Sequence, residues 1–168
     1  YNNREQDPEA ALEIAQRFMT YGKYLLGVGD HDTPLTDFGW WQNEETGKVM
    51  RETRPLPHVV FVSPYGRTKD SLAGLVRGWP ELGGVKVIED DRIREQERGL
   101  ALLYNDWRIF HILHPEQGKL WKIQGKYWYR FPQVENIPDV RERNRSHTTT
   151  LVRDFREKRV LEVTHHLN

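Results

Sequence analysis

The sequence predicts an α/β fold, specifically a three-layer α/β/α sandwich around a mainly parallel sheet. Short apolar runs, at residues 59–63 and 160–164, alternate along the chain with longer segments whose apolar residues recur every three or four positions. Both runs are typical of buried parallel strands. Ligands of such folds bind beyond the carboxyl ends of the strands, so we expect the residues that follow the two runs to share one sheet edge.

Helices in the first half of the chain are predicted from caps and apolar spacing. Asp7 and Pro8 are a typical start for a helix over residues 8–20. Thr36 is a typical N-cap for a second helix, and we expect three of its apolar side chains to be buried: Phe38, Trp41 and Val49. A third helix, residues 67–79, has its apolar residues at i, i+3, i+4 and i+7: Leu72, Leu75, Val76 and Trp79.

The second half contains a short strand in GGVKVIED and helical spacing over residues 100–114. The next stretch, GKLWKIQGKYWYRFP, has no clear period, and we expect irregular structure there. Residues 100–131 are interpreted as an aromatic-rich insertion in a single domain that spans residues 1–168. A long helix starts at Pro138 and reaches about Arg156, with an inner stripe of Val140, Asn144, His147, Leu151 and Phe155.

Composition limits the classes of function. Twenty-five Lys and Arg balance 25 Asp and Glu, so no net charge favours binding to nucleic acid or to an anionic membrane. The absence of Cys excludes disulfides, thiolate catalysis and zinc–thiolate sites, and it fits a cytoplasmic location. No apolar run approaches the roughly 20 residues of a membrane helix. Six Trp, seven Tyr and six Phe can supply a globular core.

Three segments carry candidate site residues, each with an ordinary alternative. In VFVSPYGRTKDSL, Arg67 near a helix start can bind an anion or be a plain surface arginine. In EDDRIREQERGL, Glu95 can act as a general acid, although most of this run is a solvated charge cluster. His165 and His166 follow the last strand; adjacent residues of an extended segment point to opposite sides, so we do not expect them to share a metal ion.

Other patterns favour structural roles. Asp30, His31 and Asp32 could be a metal cluster, but a capped polar loop is the better interpretation because a fourth ligand at metal-site spacing is missing. WKIQGKYWYRF interleaves basic and aromatic residues as a nucleic-acid platform does. The zero net charge favours packing or a pocket wall instead. We therefore predict no metal, no cofactor, no nucleic-acid partner and no membrane partner.

Five segments in order resemble the histidine phosphatase superfamily, which includes the phosphoglycerate mutase-like phosphatases. DTPLTDFGWWQ resembles the D-x-x-L-T-x-x-G-x-x-Q pattern of that family, and VFVSPYGRTKDSL resembles its S-P-x-x-R-x-x-x-(S/T) helix entry. IREQERG resembles its L-x-E-x-x-x-G motif, which carries the general acid. YRFPQVENIPDVRER resembles P-x-G-E-S-x-x-D-V-x-x-R, with Val134 in place of Gly and Asn136 in place of Ser. VLEVTHHLN resembles V-x-V-(S/T)-H-G, with His166 in place of Gly.

The resemblance implies roles for four residues. Arg67 would bind phosphate, Glu95 would protonate the leaving oxygen, His165 would contact the transferring phosphoryl group, and Asn2 would contact phosphate. The nucleophilic histidine of the family lies in an R-H-G turn, which this sequence lacks. His31 has no Arg before it and no Gly after it, so we do not assign it the role of the nucleophile. We therefore expect the domain to be incomplete at both ends.

The implied activity is hydrolysis of small phosphomonoesters through a phosphohistidine, with the nucleophile outside these 168 residues, which would be inactive by themselves. Arginines would neutralise charge where other enzymes use a metal ion. Two alternatives remain open. A phosphoglycerate mutase-type transferase would share every residue named, and a non-catalytic pseudophosphatase would keep the fold and bind a partner. The sequence makes no prediction about the oligomeric state or the particular phosphoester.

Overall fold

The computed structural model describes residues 30–99 and 107–166. The helices are α1 (Asp37–Thr53), α2 (Gly66–Gly78), α3 (Trp107–Leu113), α4 (Pro115–Trp128) and α5 (Ile137–Asp154), and the strands are β1 (Val59–Val62), β2 (Lys86–Glu89) and β3 (Val160–Val163). Short 3-10 segments span Asp30–Asp32, Pro80–Gly84 and Asp91–Ile93. Within the described ranges, every helix is too short or too polar to cross a membrane. The helix predicted over residues 8–20 lies outside these ranges.

Contacts divide the described residues into two compact units. The sheet unit comprises residues 30–95 and 141–166, and the aromatic unit comprises residues 96–99 and 107–140. All three strands belong to the sheet unit. The two units are described separately below.

The sheet unit is built around three parallel strands in the order β2-β1-β3. The central strand β1 is buried along its whole length, so it reads as a continuous apolar run rather than an alternating one. Val60 and Val62 pack on one face against Leu75 of α2 and against Trp79, the residue that follows α2. On the other face, Val59 and Phe61 pack in a second cluster, which is completed by Ile93 and the partly buried residues Ile88, Leu151, Phe155 and Val160.

Helices therefore cover both faces of the sheet: α2 packs on one side, and the C-terminal half of α5 packs on the other. The predicted α/β fold with a parallel sheet is confirmed. The predicted inner faces of α2 and α5 are also confirmed, because Leu75 and His147 are buried there, as is Trp79 just after α2.

The predicted burial of three apolar side chains on α1 is wrong. Thr36 does cap the helix, accepting a hydrogen bond from the Gly39 amide at 3.1 Å. However, more than half of the surface of each of these side chains is exposed: Phe38, Trp41 and Val49. The face of α1 that meets α2 is instead its glycine face, where a Cβ on Gly47 would collide with the backbone of α2. Close approach of the two helices, rather than burial of large side chains, determines which face points inward.

The aromatic unit corrects a second expectation, because residues 115–128 are helical rather than irregular. Pro115 sits in the first turn, where its missing N–H costs nothing. Gly125, at φ 73°, kinks the helix near its end. The core of this unit consists of Phe110, Tyr129 and Phe131, with Trp121 and Val134 packed against them.

The start of α5 is held by a reciprocal cap within the same unit. The Asn136 side-chain oxygen accepts from the Asp139 amide at 3.0 Å, and the Asp139 carboxylate accepts from the Asn136 amide at 2.9 Å. Asn136 stands where the resemblance expects Ser, and both residue types are good N-caps. The substitution therefore preserves the helix start.

Candidate active site

The three strands of the sheet unit end side by side, which brings distant parts of the sequence together. The amide of Ser63, just after β1, donates to the carbonyl of Val163 at the end of β3 at 3.0 Å. The amide of Asp90, just after β2, donates to the carbonyl of Val62 at 3.0 Å. Residues that follow the strands are therefore placed at one common edge, as predicted from parallel pairing.

His165 sits at this edge with its imidazole ring in a defined orientation. Its Nε2 atom lies 2.7 Å from the Ser63 hydroxyl oxygen, across 102 residues of sequence. Its ring meets the Tyr65 ring edge-on, with centroids 5.0 Å apart. Only 4% of the side chain is exposed. With Nε2 occupied by Ser63, Nδ1 is the nitrogen that remains for chemistry.

Arg67 lies in the first turn of α2, and its guanidinium carbon is 4.6 Å from the centroid of the same Tyr65 ring. The guanidinium and the His165 imidazole are thus arranged around one aromatic side chain. One guanidinium nitrogen donates to the Asp30 carbonyl at 2.9 Å and lies 3.3 Å from an Asp30 carboxylate oxygen. This exposed pair offsets part of the positive charge of Arg67.

Glu95 ends a loop, residues 90–95, that we call the acid loop. A carboxylate oxygen of Glu95 lies 3.8 Å from Nδ1 of His165. The loop is tied to β3 by the Thr164 hydroxyl, which donates to the Ile93 carbonyl at 2.7 Å. Glu95 therefore faces the nitrogen of His165 that Ser63 does not bind.

The electrostatic surroundings of His165 favour the neutral imidazole. Burial lowers its pKa, and the positive charges of Arg67 and Arg143 lower it further, to about 4. The nearest Glu95 carboxylate oxygen stands 3.8 Å from Nδ1, beyond hydrogen-bond distance. At neutral pH the ring is uncharged, with one N–H to donate and one nitrogen to accept.

A buried ionic network lies beneath the acid loop. The His147 imidazole has one nitrogen 2.9 Å from an Asp90 carboxylate oxygen and the other 3.3 Å from a Glu162 carboxylate oxygen. The Arg92 guanidinium also pairs with Asp90, at 2.6 Å. Burial by itself would raise the Asp90 pKa, but hydrogen bonds from Arg92 and His147 outweigh it and hold that pKa well below its usual range.

The structure brings together three of the four predicted site residues: Arg67, Glu95 and His165. Asn2 lies outside the described residues. His166 is exposed while the side chain of His165 is buried, as expected for adjacent residues of an extended segment. Among residues 30–99 and 107–166, no group of three or more His, Asp or Glu side chains is arranged to hold a metal ion.

Two further residues of the site were missed by sequence reasoning. Ser63 orients His165, and its signal was the S-P pair that opens the VFVSPYGRTKDSL motif. Arg143 contacts the acid loop, donating to the carbonyls of Arg92 at 2.6 Å and Glu95 at 3.2 Å. Its signal in the sequence was its place as the last arginine of the segment that resembles P-x-G-E-S-x-x-D-V-x-x-R.

Comparison with known proteins finds a family model and curated relatives that match most of this chain. The family model of the histidine phosphatase superfamily, branch 1, matches residues 23–167. A curated relative, the phosphoglycerate mutase-like protein AT74 of Arabidopsis thaliana, is 31% identical over 147 residues, covering 83% of this chain and 44% of its own length. The chain spans about half the length of the curated relatives that it matches.

Solved structures share the fold. A mycobacterial hydrolase superposes with a TM-score of 0.61 at 25% identity, over 83% of this chain and 65% of its own. A mycobacterial glucosyl-3-phosphoglycerate phosphatase superposes with a TM-score of 0.58 at 24% identity, over 83% of this chain and 67% of its own.

Proposed function

Because the chain belongs to the histidine phosphatase superfamily, we propose that it forms part of an enzyme that hydrolyses small phosphomonoesters through a phosphohistidine. The observation that supports this most directly is the convergence of Arg67, Glu95 and His165 at one sheet edge. A guanidinium, a neutral imidazole and a carboxyl group are together suited to bind a phosphoryl group and to protonate its leaving oxygen.

Each of the three side chains has a distinct proposed task. Arg67 binds the phosphoryl oxygens with its planar set of N–H donors, in the first turn of α2 where the helix dipole also favours an anion. For His165, we propose that the Ser63 hydroxyl is the donor in its 2.7 Å contact with Nε2. Nδ1 then carries the proton and donates to a phosphoryl oxygen. Glu95 delivers a proton to the oxygen of the departing alcohol as its bond to phosphorus breaks.

The nucleophile in this proposal is a neutral histidine in an R-H-G turn, and the 168 residues contain no such turn. That histidine attacks phosphorus, the bond between phosphorus and the alcohol oxygen breaks, and water then attacks the phosphohistidine to release inorganic phosphate. We propose that the turn is encoded outside the 168 residues. By this reasoning they bind phosphate but turn over phosphomonoesters negligibly.

A phosphoglycerate mutase-type transfer is the second candidate, because the curated relatives are named as phosphoglycerate mutase-like. The solved neighbours include a protein named as a hydrolase and another named as a phosphatase, which favours hydrolysis. Both reactions use the same side chains and differ in whether water or a second hydroxyl accepts the phosphoryl group. Incubation with a phosphoglycerate distinguishes them, because hydrolysis releases inorganic phosphate and mutase action yields an isomer.

The test compares two proteins: the 168-residue chain and the product of the complete reading frame that encodes it. We expect p-nitrophenyl phosphate to be hydrolysed by the complete product and not by the 168 residues. In the complete product, His165→Gln should lower kcat on the order of 10²–10³-fold, since it removes a donor to the developing negative charge. His166→Gln is the matched control, because that neighbouring side chain is exposed.

Two results would contradict the proposal. Rapid turnover by the 168 residues would show that the nucleophile is not outside them. A complete product that hydrolyses phosphomonoesters equally well with His165→Gln would show that this imidazole has no part in the reaction.

A further inference from the structure

Arg143 of α5 holds the acid loop at two points. Its guanidinium donates to the carbonyl oxygen of Arg92 at 2.6 Å and to that of Glu95 at 3.2 Å. The two carbonyls are three residues apart, on either side of the end of the 3-10 segment Asp91–Ile93. One side chain thus bridges the stretch that ends in the candidate general acid.

The same helix also holds the start of the acid loop. His147 lies four residues after Arg143, so both side chains are on one face of α5. Its imidazole is 2.9 Å from the carboxylate of Asp90, the first residue of the loop. The acid loop is therefore held at both ends by α5, and its middle is held by the Thr164 hydroxyl on the Ile93 carbonyl.

Arg143 also acts electrostatically on the imidazole that Glu95 faces. After burial and the charge of Arg67, the Arg143 charge contributes to the lowered pKa of His165. Its guanidinium is thus close enough to influence His165 while its N–H groups hold the loop carbonyls. Arg143 therefore affects both the position of Glu95, through its hydrogen bonds, and the neutral state of His165, through its charge.

We propose that Arg143 is a positioning residue that fixes the Glu95 carboxyl group beside His165, where it can protonate the leaving oxygen. The role of Glu95 in the reaction rests on the proposed function. The contacts between Arg143 and the acid loop do not depend on it. Only arginine can do this, because its planar guanidinium presents several N–H donors in fixed directions, whereas a lysine ammonium is a compact point charge. Arg143 itself needs no contact with substrate.

The first experiment uses two substrates in the complete reading-frame product. A p-nitrophenolate group leaves without protonation, whereas the alkoxide of propyl phosphate needs a proton from a general acid. We expect Arg143→Gln to lower kcat for propyl phosphate on the order of 10²-fold, the cost of a misplaced catalytic group, and to change p-nitrophenyl phosphate turnover much less. KM should change little for either substrate.

The Arg143→Lys variant distinguishes the effect of the positive charge from the effect of bridging the two loop carbonyls. Lysine retains the positive charge but cannot span both carbonyls, so we expect propyl phosphate turnover to fall as in Arg143→Gln while the His165 pKa stays low. Arg145→Gln is the matched control, because it is the same substitution on an exposed position of the same helix. It should leave both substrates unaffected.

The second experiment needs no activity and uses the 168 residues. Hydrogen exchange of the Arg92, Ile93 and Arg94 amides reports directly on the acid loop, since each donates a hydrogen bond within it. We expect these amides to exchange faster with Arg143→Gln than with Arg145→Gln. NMR titration should show the His165 pKa rising with Arg143→Gln and staying near its original value with Arg143→Lys.

The outcomes separate this inference from the proposed function. Equal losses on both phosphoesters, or full propyl phosphate turnover by Arg143→Lys, would overturn the positioning role. Unchanged amide exchange in Arg143→Gln would overturn it as well. If the unaltered complete product hydrolyses neither substrate, the proposed function fails, and the exchange and titration data still decide whether Arg143 holds the acid loop.

Discussion

Neutral His165 should make the folded protein lose stability as the pH falls. Its pKa is about 4 in the folded chain, against an ordinary value of 6.5, because of burial and the charges of Arg67 and Arg143. The unfolded chain therefore binds a proton that the folded chain does not, at any pH between these values. The contribution is complete above pH 6.5 and is lost on acidification to about pH 4. At about 1.4 kcal/mol per pH unit, that interval corresponds to about 3 kcal/mol.

The measurement is urea-induced unfolding of the 168 residues and of His165→Gln at pH 7 and pH 4. Other groups titrate over the same interval, but they are common to both proteins and cancel in the comparison. We expect the free energy of unfolding to fall by about 3 kcal/mol more in the original chain than in the variant. His166→Gln should behave like the original chain, because that side chain is exposed.

An equal pH dependence in the original chain and in His165→Gln would refute the reasoning. It would mean that the imidazole is hydrated, or is compensated by the nearby Glu95 carboxylate, so that protonation costs the fold nothing. An NMR titration that gives His165 a pKa near 6.5 would lead to the same conclusion.

Three further predictions follow from local contacts. Thr36→Ala removes the N-cap of α1 and should lower the free energy of unfolding by about 1 kcal/mol, measured by urea titration. Gly47→Ala introduces a Cβ into the backbone of α2 and should cost about 1–3 kcal/mol, whereas Gly84→Ala, with open space around it, should cost much less. Asp30→Asn removes the anion that pairs with Arg67 and should tighten inorganic phosphate binding about twofold to fivefold by calorimetry; weaker binding would contradict a competing role for Asp30.

The parallel sheet and its edge could be predicted because they depend on local patterns. Residues 59–63 and 160–164 are rich in apolar and β-branched side chains, and parallel pairing follows from the helices between them. The motif around Arg67 placed that residue at a helix start, where it lies. To predict these features, one needs only the periodicity of the apolar side chains and the residues at which helices and strands begin and end.

Features that depend on how elements approach each other could not be predicted. The inward face of α1 is set by Gly47 against the α2 backbone, a contact that no periodicity of large residues reveals. The role of Ser63 depends on its pairing with a residue 102 positions away. Arg143 was visible only as part of a motif, because its partners are main-chain carbonyls, which every residue carries.

The strand order β2-β1-β3 places β3 directly beside β1, the last and the first of the described strands, with about a hundred residues between them in sequence. Such long-range pairing forms slowly, because the chain between the strands loses conformational entropy before any stabilising contact forms between them. Ser63 can meet His165 only after that closure. A partly folded species in which β3 has not docked can retain α1, β1 and α2 but lacks the His165 imidazole beside Tyr65. If the proposed function holds, phosphate binding through Arg67 and His165 would therefore report that these strands have paired, and helical content alone would not.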